Sequence, residues 1–362
     1  MEKGAETTPP YWHGKNFFAR NDEIRKTPMN TATTTEATGR CREHAWWRVK
    51  GRSLRAGPKR TSRNSEKGRK VWRKLQPRAW CYTMRMIPTL PLSDGTSIPQ
   101  LGLGVWQMPD DGAGVPIQAA FNAGYRAIDT APIYGNEEGV GRAIRASGLP
   151  RKELYITTKV WNSTQGYDST LRAVRESLGR LQLEYVDLYL IHWPVPKIDR
   201  YVDTWKALAQ IKADGLARSI GVSNFTPVYL QRLFDETGIV PVVNQVELHP
   251  RLQQHELRAF HAKHRIVTEA WSPLGQGTLL ADPVLAGIAQ KHGRSAAQVI
   301  IRWHIQQGLV VIPKSVTPSR IAENANVFDF TLDAEDMAAI ASLDAGEAGR
   351  IGSHPDKMAM GV

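Results

Sequence analysis

The sequence predicts an α/β fold, a (β/α)8 TIM barrel with an N-terminal β-hairpin cap and a disordered basic N-terminal extension. Three observations carry this. Eight short apolar runs suited to buried parallel strands recur between residues 101 and 313, amphipathic stretches of helical period lie between them, and globular patterning starts abruptly at Ile87. The 362 residues accommodate one barrel of about 250 residues plus a tail. A doubly wound sheet is the runner-up. It is disfavoured because no Gly-x-Gly-x-x-Gly follows any strand: Gly102-Leu103-Gly104 lacks the third glycine.

Residues 1–86 hold a Thr-rich patch, the basic cluster Lys67-Gly68-Arg69-Lys70, scattered tryptophans and no sustained apolar period. The charge is concentrated there. That segment has 21 Lys and Arg against 7 Asp and Glu, whereas residues 87–362 have 26 against 28, so the body is nearly neutral although the chain carries +12. Three explanations of the extension stand: a basic arm for nucleic acid, an organelle transit peptide, or an upstream stretch taken in by a start at Met1 instead of Met84 or Met86. The last is preferred, and the acids Glu2, Glu6, Asp22 and Glu23 count against a transit peptide. The expected division is therefore 1–86 extension and 87–362 barrel, with nucleic acid a partner only through the former. Both cysteines, Cys41 and Cys81, also fall in the extension, so residues 87–362 can hold no disulfide, cysteine metal site or cysteine nucleophile. No run reaches the roughly 18 to 20 apolar residues of a membrane helix, and no apolar signal core opens the chain, so a soluble cytoplasmic protein is expected.

From Ile87 the elements follow in order. Thr89-Leu90, Asp94-Gly95 and Ser97-Ile98 read as a hairpin with an Asp-Gly turn. Strands are expected at 101–105, 126–129, 154–159, 186–192, 219–222, 242–246, 266–271 and 309–313, with helices at 171–181, 202–213, 254–264 and 296–307 among those between them.

Four polar residues stand at or just past the ends of such runs: Asp129, Tyr134, Lys159 and His192. Strand ends are where a parallel barrel carries function. A tyrosine with a pKa of about 10 donates protons poorly near neutrality, and an adjacent ammonium lowers that value. Lys159 supplies the ammonium, Asp129 holds it charged, and His192 orients a carbonyl oxygen toward the Tyr134 phenol. Together they are machinery for reducing a carbonyl that lacks only a hydride. Singly, each has a plainer reading: a helix cap, a surface ring, a solvated charge and a satisfied histidine.

Further motifs extend this pattern. Residues 124–137, reading Gly-Tyr-Arg-Ala-Ile-Asp-Thr-Ala-Pro-Ile-Tyr-Gly-Asn-Glu, then Ile220-Gly221-Val222-Ser223-Asn224-Phe225, then Ile312-Pro313-Lys314-Ser315 with Arg320 resemble the three signatures of the aldo-keto reductase family across roughly residues 87–356. Segments 186–194, 243–250 and 270–277 are most similar to its bacterial 2,5-diketo-D-gluconic acid reductase branch. The resemblance implies an NADPH-dependent reductase with Asp129, Tyr134, Lys159 and His192 as catalytic residues and Tyr134 as general acid. It implies a nicotinamide carboxamide held by Ser223, Asn224 and Gln245, with the ring stacked on Trp271. Ser272, Leu274, Gln276 and Gly277 would meet the pyrophosphate, and Lys314, Ser315, Val316, Thr317, Arg320, Glu323 and Asn324 the adenosine end. Lys314 and Arg320 suit a 2′-phosphate, which favours NADPH over NADH. By themselves Ser223-Asn224 read as a helix cap, Trp271 as core and Lys314 with Arg320 as a solvated basic face.

For the substrate, Trp106, Trp161, Asn162 and Trp193 follow strand ends and would wall an apolar pocket, with the tail around 350–355 closing one side. Ser353-His354-Pro355-Asp356 resembles the same branch's tail and tilts the expectation toward keto-sugar acids and small dicarbonyls, acted on by a monomer. Two other classes remain open. A metal hydrolase would need convergent His and carboxylate ligands, but no His-x-His follows the first strand, and His255, His261 and His264 share one outer helix where solvation is expected. A regulatory barrel that binds cofactor with little turnover is the other.

Overall fold

The computed structural model describes residues 87–362. The expectations for residues 1–86 lie outside the described residues. β1 (Thr89–Pro91) and β2 (Ser97–Pro99) form the antiparallel hairpin, with Leu90 opposite Ile98. Its turn is built by Asp94, whose Oδ1 accepts from the Thr96 amide at 3.1 Å and the Thr96 hydroxyl at 2.8 Å, and by Gly95 at φ +87°, a backbone state that glycine adopts without penalty. The other carboxylate oxygen of Asp94 accepts from Lys212 Nζ at 2.6 Å and Ser219 Oγ at 2.9 Å, which bolts the hairpin to the body.

Eight parallel strands follow: β3 (Gly102–Gly104), β4 (Ala127–Asp129), β5 (Tyr155–Val160), β6 (Val186–Ile191), β7 (Ala217–Ser223), β8 (Val243–Glu247), β9 (Val267–Trp271) and β10 (Val310–Val311). Each pairs with the next in sequence. The sheet closes where Leu101 bridges Val311 in parallel and the Gly104 amide donates to the Pro313 carbonyl at 3.3 Å. Every residue of β5 and β6 is buried, because helices cover one face and barrel side chains the other. The runs expected at 101–105 and 309–313 form shorter ladders. They meet at the closing seam, where Pro313 has no amide to continue the pairing and isolated bonds take over.

The expected helices are found as Tyr167–Leu181, Tyr201–Ala213, His255–His264 and Ala296–Gln306, the last opened by a capping box between Ser295 and Gln298. Trp205 and Trp303 are fully buried on two of them. His261 departs from the expected solvation: it is buried, with Nδ1 2.8 Å from the Thr268 hydroxyl and Nε2 2.9 Å from the Asn244 amide, because its turn of helix faces β8 and β9.

The interior has two ends. Leu92 and Ile98 of the hairpin pack with Ala127, Tyr155, Val243 and Val310, the first residues of their strands, and so stopper the N-terminal end. Asp129, Ser223 and Trp271 end β4, β7 and β9, Lys159 lies one residue before the end of β5 and Gln245 two before the end of β8. Among the described residues no helix is long and apolar enough to cross a membrane.

Candidate active site

Asp129 ends β4, and Lys159 lies one residue before the end of the neighbouring β5, with both side chains turned to the interior and buried. Lys159 Nζ donates to Asp129 Oδ1 at 2.7 Å and to the Thr130 carbonyl at 3.1 Å. Removing two charges from water is costly, and it is tolerated here because each meets its opposite. The Lys159 pKa is pushed down by burial, but the attraction of Asp129 and then Tyr134 outweighs this and leaves it raised, so the lysine stays an ammonium.

Tyr134 ends a single turn of 3-10 helix, Pro132–Tyr134, that leaves β4. Its half-buried ring has its centre 5.3 Å from Lys159 Nζ. Burial raises the phenol pKa, the Lys159 charge lowers it, and Asp129 and Glu269 raise it further. The net direction is upward. Sequence reasoning anticipated the pull of the ammonium but not the desolvation that exceeds it.

His192 follows β6 directly and is buried, with its ring edge-on to Tyr134 at 5.8 Å and to Trp161 at 5.1 Å between centroids. Burial, followed by the Lys159 charge, holds its pKa well below the usual histidine value, so the imidazole is neutral. Its Nδ1 is buried without a partner.

Beside these four runs a polar wall. Gln245 Nε2 donates to Asp129 Oδ2 at 2.8 Å and to Glu269 Oε2 at 2.9 Å. Ser223 Oγ donates to the Gln245 carbonyl at 2.7 Å. Asn224 Nδ2 donates to the His192 carbonyl and to Ser223 Oγ, each at 3.0 Å, while Asn224 Oδ1 accepts from Trp271 Nε1 at 2.8 Å. Asn224 therefore has both amide hydrogens engaged inside the protein, at a backbone φ of +64°. Trp193 stands edge-on to Trp271 at 6.4 Å.

The C-terminal tail covers this group. Asn162 Nδ2 donates to the Met360 carbonyl at 2.9 Å, Met358 packs in a cluster with Trp193 and Val195 against Trp161 and Trp271, and a β-carbon on Gly361 would lie 2.8 Å from Trp161 Nε1. Glu247, wholly buried at the end of β8, accepts the amides of Ile351 at 2.6 Å and Gly352 at 2.9 Å. A side chain at position 352 would strike Trp271 at 2.5 Å. Trp106, 36% exposed, makes no ring contact with the group among the described residues.

The remaining expected residues form a separate stretch of rim. Ser272 and Gln276 have positive φ, at 47° and 52°, in the loop after β9, with Leu274 before the Gly275–Gly277 turn. Lys314, Val316, Arg320 and Glu323 are exposed, Ser315 and Thr317 half-buried and Asn324 buried, around the start of helix Pro318–Ala325. Among the described residues neither Lys314 nor Arg320 has an ion-pair partner. Two unneutralised cations at a helix N-terminus suit a phosphate ester.

Sequence reasoning passed over two carboxylates, Glu269 and Glu247. Their signal is an acid inside a buried apolar run, two residues before Trp271 in one case and two after Gln245 in the other, so each shares the inward-facing phase of its strand. Among the described residues no group of three or more His, Cys, Asp or Glu could hold a metal ion.

A parallel barrel closed at its seam, with buried acid–base groups at its C-terminal mouth, has the layout of a barrel enzyme. Residues 99–345 match the Aldo/keto reductase family. The chain is 59% identical over 270 residues to an aldo-keto reductase of Mycolicibacterium smegmatis, covering 75% of this chain and 98% of that protein. It is 52% identical over 270 residues to the methylglyoxal reductase DkgA of Escherichia coli, covering 74% and 97%. Among solved structures, a mutant of Gox0644 in complex with NADPH is 52% identical with a TM-score of 0.73, covering 75% of this chain and 99% of that one. The aldo/keto reductase of Brucella melitensis is 57% identical with a TM-score of 0.69, covering 72% and 100%. The chain belongs to the aldo/keto reductase family and is an oxidoreductase.

Proposed function

We propose that this protein reduces a small dicarbonyl compound of the methylglyoxal kind to a hydroxycarbonyl, with NADPH as reductant and Tyr134 as proton donor. The observation that carries the reading is the buried Lys159–Asp129 pair, 2.7 Å apart, beneath a Tyr134 ring that His192 meets edge-on. NADPH supplies the hydride, and Lys314 and Arg320 suit its 2′-phosphate.

The chain's own residues manage the proton. The raised phenol pKa keeps Tyr134 protonated at neutrality, as a donor must be. As the phenol gives its proton to the carbonyl oxygen, the Lys159 ammonium stabilises the phenolate left behind, and solvent restores the proton. The buried, unpartnered Nδ1 of neutral His192 is better left as a bare lone pair than as an unpaired N–H, which puts the proton on Nε2 and lets that atom donate to the substrate oxygen.

The size preference rests on the tail. Met358 packs with Trp193 and Trp161, Asn162 holds the Met360 carbonyl and Gly361 abuts Trp161, an arrangement that favours a short substrate over a long one. The DkgA proteins to which the chain is similar are named methylglyoxal reductases. The test is NADPH consumption over a panel of methylglyoxal-like dicarbonyls, keto-sugar acids and aldehydes. Small dicarbonyls should give the highest kcat/KM, and a higher value for keto-sugar acids would overturn the substrate assignment.

A further inference from the structure

Glu269 is a buried carboxyl for which the proton transfer described above has no use. It lies on β9 and shares the Gln245 amide nitrogen with Asp129, at 2.9 and 2.8 Å. An amide nitrogen has two hydrogens, and both are taken by carboxylate oxygens. Asp129 is fixed in turn by Lys159, so it cannot turn away. What Gln245 has left to offer is Oε1, an acceptor without a hydrogen bond inside the protein among the described residues.

We propose that Glu269 is a positioning residue: together with Asp129 it locks the Gln245 amide so that only an acceptor faces the cofactor, which selects for the N–H of a nicotinamide carboxamide. The inference rests on the NADPH reading above and deepens it. Without the second carboxylate only Asp129 opposes a turn of the amide, so the nitrogen would face outward more often and a ring substituent lacking hydrogens would be accepted more readily. The protonation state of Glu269 matters for the same reason. Burial and the charge of Asp129 raise its pKa to about 7, while Gln245 and Lys159 oppose the shift. Its titration is felt by Asp129, Lys159, Tyr134 and Tyr155, the titratable and charged groups that face it among the described residues. Ionised Glu269 only accepts and holds the lock. Protonated, it can also donate and the lock loosens.

The experiment compares the dissociation constants of NADPH and of its 3-acetylpyridine analogue, in which a methyl ketone replaces the carboxamide, by quenching of tryptophan fluorescence without substrate. The ratio cancels the titration of the 2′-phosphate, which both carry. The wild type at pH 8 should prefer NADPH by about fivefold to tenfold, the weight of one hydrogen bond. This preference should shrink toward pH 6. Glu269→Gln carries both a donor and an acceptor, as the protonated acid does, so it should show the smaller preference at every pH. A wild-type ratio that is flat from pH 6 to 8, or a Glu269→Gln ratio equal to the wild-type value at pH 8, would overturn the proposal. Failure of the NADPH reading looks different, since the wild type would then bind neither nucleotide.

Discussion

Tyr134 is opposed by its own surroundings. Burial keeps its proton on and Lys159 favours letting it go, and the proposed role of donor needs the first before the transfer and the second after it. Tyr134→Phe removes only the oxygen. It should lower kcat for dicarbonyl reduction by about a hundredfold to ten-thousandfold while leaving NADPH affinity within about twofold, as read by single-turnover kinetics and fluorescence titration. An equal loss in both would place Tyr134 in cofactor binding instead. At this scale the sequence was informative because Asp129, Lys159 and His192 fall at or next to strand ends, which apolar runs mark well, and Tyr134 one short turn beyond. Glu269 and Glu247 were hidden by the same runs: an acid in a strand says nothing of its partners until the barrel closes and brings β4 across to β8 and β9.

Elements decide how the residues meet. The eight apolar runs were readable because strands buried on both faces need continuous apolar sequence. The seam strands came out shorter because pairing there depends on closure, which no local run encodes. The helix Pro318–Ala325 is the setting proposed for the cofactor's far end, with Lys314 and Arg320 free of ion pairs among the described residues. Lys314→Ala and Arg320→Ala should each raise the dissociation constant for NADPH about tenfold or more and that for NADH less than twofold, since the lost partner is a phosphate that only NADPH has. Equal losses would contradict a 2′-phosphate site. The tail gives a second prediction. Its backbone hangs on Glu247 through Ile351 and Gly352, so Glu247→Ala should raise KM for the carbonyl substrate by about tenfold with kcat changed far less, and should speed cleavage of the tail in limited proteolysis. Unchanged KM and unchanged cleavage would show that the tail holds itself.

For the molecule as a whole, buried titratable groups set the pH range of stability. Burial lowers His261 to about 3 and His304 to about 4, and holds His192 well below its ordinary value. Their contribution is present above the unfolded pKa of about 6.5 and is lost as pH falls, because only the unfolded chain takes up the protons. Glu269 works the other way. Its pKa is raised to about 7, so its contribution is fully present below about 4.5 and is lost as pH rises through 7. Calorimetry should therefore find Tm falling steadily from pH 6 to pH 4, with three histidines set against two buried acids of raised pKa, Glu269 and Asp187, each group worth up to about 1.4 kcal/mol per pH unit. A Tm flat across that range would mean that the histidines are not buried as described.

The hairpin has a consequence of its own. With Leu92 and Ile98 corking one end of the barrel, the proposed reaction has a single doorway for all its traffic: reactant arriving, product departing and the proton that would replenish Tyr134. A ligand lodged in that doorway interrupts the three together, so an effective blocker need touch none of the reacting atoms.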